Sequence, residues 1–244
     1  MKETAPLETR GEIVIPGEDL GEKKKGDSTY LDGSHTRSSV LGVSAKKSDR
    51  ASVIPLAGGY MPKEGDMVVG VVSRVIHKGW LIDTHCPYLT LLSAEQDRHG
   101  RDGRNRGYSD RREPPQDLSK IYKEGDIISV KIISVDEIKD NIGTGPRKLT
   151  GGRILRANPK KIPRIIGNKK SMLNILRDKT GCRIVVGQNG IIWVDGDIDM
   201  TYVVGEAIAK IDAESHTKGL TDRISEFLDD KVKQLNKKEE KETK

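Results

Sequence analysis

The chain is 244 residues long, only 34% of its residues are hydrophobic, and a single one is phenylalanine. This composition argues against one large core and favours two or three small modules. A net charge of +6, on a chain in which 33% of the residues are charged, suits a polyanionic partner without identifying one.

Cysteine and hydropathy patterns exclude other classes of protein. Cys86 and Cys182 lie far apart and form no C-x-x-C pair, so we expect neither a zinc ribbon nor a disulfide framework, and no metal or other cofactor. No apolar run approaches the roughly 18 residues of a membrane span, and no apolar signal core opens the chain. The sequence therefore predicts a reduced, cytoplasmic setting without a membrane partner.

Residues 1–62 carry short apolar runs separated by glycine and charged residues. Residues 13–15, 40–43 and 51–56 predict strands of a small antiparallel β unit. His35 stands alone and is predicted to be a surface loop residue, which leaves the unit without a catalytic cluster. Because so small a β unit is marginal by itself, we expect it to dock onto a partner.

Residues 63–147 repeat one pattern, in which a Lys-Glu-Gly-Asp turn opens a long apolar strand. This rhythm predicts a five-stranded OB barrel, although the last predicted strand, residues 141–145, is short and predicts weak closure. OB folds bind single strands by stacking bases on aromatic side chains in a basic groove. The candidate RNA contacts here are His77, Lys78, Trp80 and Tyr88. A core role is the alternative for Trp80, because aromatic residues are scarce in this chain.

An arginine- and glycine-rich segment, residues 97–117, interrupts the predicted barrel. It has no apolar periodicity, so the sequence predicts a long loop. Its arginines can hold the phosphates of a passing strand, but interspersed carboxylates make a merely solvated loop the alternative. The candidate RNA contacts in this loop are Arg98, Arg101, Arg104 and Arg106.

Residues 148–235 contain the most specific pattern. An apolar lead-in is followed by a polar turn and then by apolar residues at helical spacing. Glycine lets a backbone approach a phosphate closely, the helix N-terminus offers N–H groups, and lysines add charge. The candidate RNA-binding residues of this turn are Ile166, Gly167, Asn168, Lys169 and Lys170. The alternative is an ordinary helix N-terminus with solvated lysines.

The elements around this turn follow the order strand, helix, turn, helix, hairpin, helix. This is the order of a KH domain, which clamps about four nucleotides with its G-x-x-G loop. Lys170 departs from the second glycine of that motif, and a lysine at positive φ costs roughly 1–2 kcal/mol. A helix from about Asp199 and a last helix with Thr221 as N-cap follow. Residues 236–244 are predicted to be a charged tail.

One dense set of carboxylates, Asp195, Asp197 and Asp199, is the only sign of catalysis. The set falls where a strand ends and a helix begins, a position at which aspartate caps backbone N–H groups. We therefore expect no enzymatic activity.

The module order and three local stretches, residues 13–18, 53–56 and 214–223, make the chain resemble the KH-bearing RNA-binding cap subunit of the archaeal exosome. The likeness covers the chain from Ile13 to Leu228. It implies a multidomain, β-rich plus α/β protein with an N-terminal β docking domain, an OB domain of the ribosomal S-one type and a KH domain.

The resemblance also implies a function. In that family the β unit and part of the barrel dock on a hexameric ring of phosphorolytic RNase-PH-like subunits, and three cap chains surround the RNA entry pore. This chain would then capture single-stranded RNA by its 3′ end or an adenine-rich tail and guide it to the ring. The rival interpretation is an RNA-binding translation or ribosome-assembly factor built from the same modules.

Overall fold

The structure is a computed structural model of the chain that describes residues 11–46, 50–56, 58–94, 118–135, 141–215, 217 and 219–242. The chain divides into two compact units, Met1–Gly58 and Gly59–Lys244. Within the described ranges, no helix is both long and apolar enough to cross a membrane.

Two small sheets build the first unit. Its strands are β1 (Ile13–Val14), β2 (Lys24–Lys25), β3 (Thr29–Asp32), β4 (His35–Ser38), β5 (Gly42–Lys46) and β6 (Arg50–Pro55). One sheet has the order β1-β5-β6-β2, and β3 pairs with β4. The predicted antiparallel β unit is confirmed, although β2 joins β6 in parallel. The placement of His35 in a loop is wrong: it opens β4, and its Nδ1 lies 2.8 Å from the Asp19 carboxylate.

The second unit begins with a closed barrel. Its strands are β7 (Met67–Ile76), β8 (Gly79–Asp83), β9 (Thr90–Ser93), β10 (Ile127–Val135) and β11 (Asn141–Leu149), in the order β10-β11-β9-β8-β7. The predicted five-stranded barrel is confirmed. The prediction of weak closure is wrong, because β11 is nine residues long and pairs with β10 on one side and, in parallel, with β9 on the other.

The KH domain follows. Its elements are β12 (Arg153–Arg156), α1 (Ile162–Ile166), α2 (Ser171–Thr180), β13 (Arg183–Val186), β14 (Ile191–Asp195), α3 (Ile198–Glu214) and α4 (Leu220–Glu242). The sheet has the antiparallel order β12-β14-β13, and the four helices bury their apolar faces against one core. The predicted KH order is confirmed.

The prediction that an aspartate of the carboxylate set caps the helix after β14 is confirmed for Asp197. Its Oδ2 accepts hydrogen bonds from the N–H groups of Asp199 at 3.0 Å and Met200 at 3.4 Å, at the start of α3. Thr221 is not an N-cap, since α4 already begins at Leu220. The backbone of α4 continues to Glu242, through most of the predicted tail.

The turn between β13 and β14 fastens the KH domain to the barrel. Asn189 is buried there, and its amide NH₂ donates to the carbonyls of Val69 at 2.7 Å and Thr84 at 2.8 Å. Its carbonyl accepts from the Val69 N–H at 3.2 Å. A separate apolar cluster joins the two domains beside it and contains Val69, Leu149, Ile191 and Trp193. Because unpaired buried backbone groups are costly, these bonds hold the two domains in one relative orientation.

Candidate nucleic-acid interface

The turn between α1 and α2 has a backbone that requires glycine at its first position. Gly167 has φ 74° and ψ 171°, a region that residues with a side chain essentially never occupy. A Cβ on Gly167 would also lie 2.7 Å from the backbone nitrogen of Met172. The first glycine of the predicted loop is therefore fixed by both conformation and space.

Two lysines complete the turn in the left-handed conformation. Lys169 has φ 49° and Lys170 has φ 66°, so Lys170 takes the backbone form that a glycine would favour. The expected penalty of roughly 1–2 kcal/mol applies to such a residue. α2 then starts at Ser171, and the side chain of its N-cap residue makes no capping hydrogen bond. The backbone N–H groups of the first helical turn therefore remain available to another acceptor.

The surface around this turn is positive. Arg164, Lys169 and Lys170 are exposed, and none of them forms an ion pair with a carboxylate in the part of the chain that the structure describes. Asn168 is exposed as well, whereas Ile166 is half-buried and packs on the KH core. The turn therefore presents unpaired cations and backbone N–H groups on an apolar support, which suits a phosphate chain.

An open strand edge lies next to α2. Gly187 donates its N–H to the carbonyl of Ile191, so by antiparallel alternation Ile184 and Val186 turn their backbone groups away from β14. The Arg177 guanidinium of α2 donates to the Ile184 carbonyl and ties the helix to this edge.

Trp80 does not reach the surface, which corrects its assignment as a base-stacking residue. Its side chain is fully buried in the barrel, and its Nε1 donates to the Tyr122 carbonyl at 3.1 Å. The two rings meet edge to face, with centroids 5.1 Å apart. The indole therefore fills the core, the alternative role that the sequence allowed.

The other barrel candidates do not form one patch. His77 and Lys78 are exposed in the turn before β8, whereas Tyr88 is half-buried in the loop after it. The five residues of β8 put about 17 Å between these two ends. Arg98, Arg101, Arg104 and Arg106 lie outside the described residues.

Comparison with known proteins decides the family. Family models match at residues 59–134, described as "RRP4, S1 domain", and at residues 152–200, described as "KH domain". The exosome complex component Rrp4 of Methanothermus fervidus is 40% identical over 223 residues, which cover 89% of this chain and 95% of that protein. The chain belongs to the Rrp4 family.

Further relatives agree with this assignment. The Rrp4 exosome component of Pyrococcus horikoshii is 37% identical over 240 residues, covering 93% of this chain and 86% of its own. A crystal structure assigned to an exosome complex RNA-binding protein matches with a TM-score of 0.58 and 34% identity, over 72% of this chain and 98% of that one. The resemblance to an archaeal exosome cap subunit is confirmed at the level of the family.

Two of the three carboxylates in the predicted set have structural roles in this Rrp4-family chain. The Asp195 carboxylate accepts a hydrogen bond from the Arg183 guanidinium, and Asp197 caps α3. Within the described ranges, no group of three or more His, Cys, Asp or Glu side chains is placed to hold a metal ion. Cys86 and Cys182 are free thiols, and Cys182 is buried.

Sequence reasoning missed a second positive site in this Rrp4-family chain. A cavity of about 300 Å³ opens where the end of β11 meets β13 and α2. Its charged lining residues are Arg147, Lys148, Arg177 and Arg183. The only signal for this cavity in the sequence is the pair Arg147 and Lys148. The pair lies near the end of β11, whose length the sequence prediction underestimated.

One ionisable group beside this cavity is perturbed. Burial acts to raise the pKa of the Asp126 carboxyl, but the Lys148 ammonium 2.5 Å away and the Lys123 N–H together hold that pKa below its usual value. Asp126 therefore stays ionised and keeps Lys148 in place at the rim.

Proposed function

We propose that this chain is a non-catalytic, RNA-binding cap subunit of the exosome, which binds RNA 3′ ends or adenine-rich tails and guides them to a 3′-to-5′ phosphorolytic ring. The observation that carries the proposal is the turn from Ile166 to Lys170. Its glycine-only backbone at Gly167 and its unpaired lysines provide contacts to sugar and phosphate rather than to base edges. Such contacts suit a protein that handles many RNA sequences.

An exposed apolar face in the first unit supports a docking role. Ile13, Val43 and Ile54 form a row across β1, β5 and β6, and Ile13 and Ile54 are 68% and 61% exposed. Flanking residues on the same side extend the face, namely Ile15, Leu41 and Leu56, which are all exposed. Val14, Ala51 and Val53 are buried on the opposite side. Large apolar faces on a small unit mark an interaction surface.

We assign this docking face to a hexameric ring of RNase-PH-like subunits, with three cap chains around its RNA entry pore, in the cytoplasm. In this proposal residues 1–62 dock, residues 63–147 and 148–235 hold RNA, and residues 236–244 contribute solubility. Lys78 and His77 at one end of β8 and Tyr88 at the other remain candidate RNA contacts, as do Arg98, Arg101, Arg104 and Arg106.

Affinity purification from native extract tests the assignment against its rival. Full-length chain is expected to recover the ring subunits, whereas a translation or ribosome-assembly factor would recover ribosomal subunits. A chain without residues 1–58, the first compact unit, is the matched control because it keeps Tyr60, which is buried in the barrel core. It should lose the ring while still binding single-stranded RNA. Recovery of ribosomal subunits alone would contradict the proposal.

A further inference from the structure

The cavity between the barrel and the KH domain is positive on two walls. β11 contributes Arg147 and Lys148 to one wall, and the KH domain contributes Arg177 and Arg183 to the other. None of the side chains that line it is a carboxylate. Asp126 and Asp195 each pair with one of the four cations from outside the cavity, which leaves a net positive charge of two.

The cations are available at the surface. The side chains of Arg183 and Lys148 are 73% and 40% exposed, and Arg147 is also exposed. No ion pair within the described ranges involves Arg147. The Arg183 guanidinium lies 5.7 Å from the ring centre of Trp193, which also lines the cavity. An anion that enters would therefore meet exposed cations beside an aromatic ring.

The cavity lies along the same helix as the RNA-binding turn. Lys170 precedes α2 and Arg177 lies seven residues later, so the two are about 10 Å apart along the helix axis. The volume, about 300 Å³, is at the lower limit of small-molecule sites and the cavity is open to solvent. An open cavity of this size accommodates one phosphate group of a longer chain.

We propose that this cavity binds a backbone phosphate of the same RNA strand that the turn from Ile166 to Lys170 clamps, so that β11 of the barrel becomes part of the RNA path. The inference rests on the RNA-binding function proposed above. It assigns a role to Arg147, Lys148 and Arg183, which belong to neither the KH loop nor the predicted barrel contacts. Rigid attachment of the two domains through Asn189 keeps the two walls of the cavity in register.

RNA oligomers of two lengths test this path on the full chain. An oligomer of about four nucleotides occupies only a KH clamp, whereas one of about 12 extends beyond it. Arg147→Glu should weaken the longer oligomer at least about fivefold at 0.1 M salt, because one lost phosphate contact lowers the salt slope by about 0.7. The shorter oligomer should bind as in the wild type. Lys233→Glu, an exposed position on α4, makes the same change in charge and is the control.

Tryptophan fluorescence provides a local readout. The chain has two tryptophans, and Trp80 is fully buried in the barrel. The longer oligomer should change the emission of the wild type, and Trp193→Phe should remove that change while RNA still binds. Thermal unfolding of Arg147→Glu should match that of the wild type, since Arg147 is exposed.

The outcomes separate the two proposals. If neither oligomer binds the wild type, the RNA-binding function itself fails. If both bind and Arg147→Glu behaves like Lys233→Glu, the cavity is not on the RNA path and the KH assignment stands. If inorganic phosphate alone produces the full Trp193 change and RNA produces none, the cavity takes a free anion, which also overturns the inference.

Discussion

Lys170 offers a test that separates backbone strain from charge. Its φ of 66° and ψ of 21° are left-handed, and such a conformation costs a residue with a side chain about 1–2 kcal/mol. Lys170→Gly relieves this cost but gives the unfolded chain extra freedom worth about 0.4–1 kcal/mol. The glycine variant should therefore be more stable than the wild type by about 1 kcal/mol. Lys170→Ala retains the strain and should stay within about 0.5 kcal/mol of the wild type.

RNA binding should respond differently. Both variants lose one positive charge at the turn. Each should therefore lower the affinity for single-stranded RNA by about fivefold at 0.1 M salt and reduce the salt slope of that affinity by about 0.7. Urea unfolding measures the stabilities, provided that the free energy of unfolding depends on urea concentration with the same slope in all variants. A salt titration of RNA affinity measures the phosphate contact. Equal stability of the glycine and alanine variants would refute the strain at Lys170, and wild-type affinity in both would remove its charge from the interface.

Three further changes test other parts of the molecule. Asn189→Ala leaves three buried backbone groups without their partner and should destabilise the second unit by about 3 kcal/mol in urea unfolding. Gln188→Ala keeps its backbone bond to Met67 and should cost less than about 0.5 kcal/mol. Similar costs for the two variants would contradict the role of Asn189 in holding the barrel and the KH domain together. Ile54→Glu should abolish copurification of the ring while the equally exposed Ile198→Glu preserves it, and ring binding by both would move the docking surface elsewhere. The folded pKa of Asp126 lies below 3.8, so the stability that the Asp126 carboxylate contributes is present above pH 3.8 and is lost as the pH falls through the folded pKa. The stability difference between the wild type and Asp126→Asn should therefore shrink below pH 3.8. A difference that is constant down to pH 2 would disprove the Asp126–Lys148 pairing.

The sequence predicted the KH domain well because its elements are long, periodic and punctuated by glycine. Gly167 and the apolar residues of α2 announce the turn and the helix without any tertiary information. β11 was underestimated for the opposite reason. Gly143, Gly145 and Pro146 interrupt its apolar pattern, and its pairing partners β9 and β10 supply the order that local propensity lacks.

Side-chain placement could not be predicted so well. A tryptophan after a turn is compatible with a surface or a core position. The contacts of Trp80 with Tyr122 in the structure show that it occupies a core position. The cavity was invisible for a different reason. Arg147 and Arg183 are far apart in sequence and meet only because Asn189 docks one domain on the other.

The proposed binding of single-stranded RNA by this chain depends on phosphate contacts at the turn before α2. A salt titration of RNA affinity for the full chain and for Lys169→Glu combined with Lys170→Glu tests it most directly, with Lys24→Glu combined with Lys25→Glu as the control for charge. We expect a salt slope lower by at least about 1.4 in the loop variant and a much smaller change in the control. Equal affinity and equal slope in the wild type and the loop variant would contradict it.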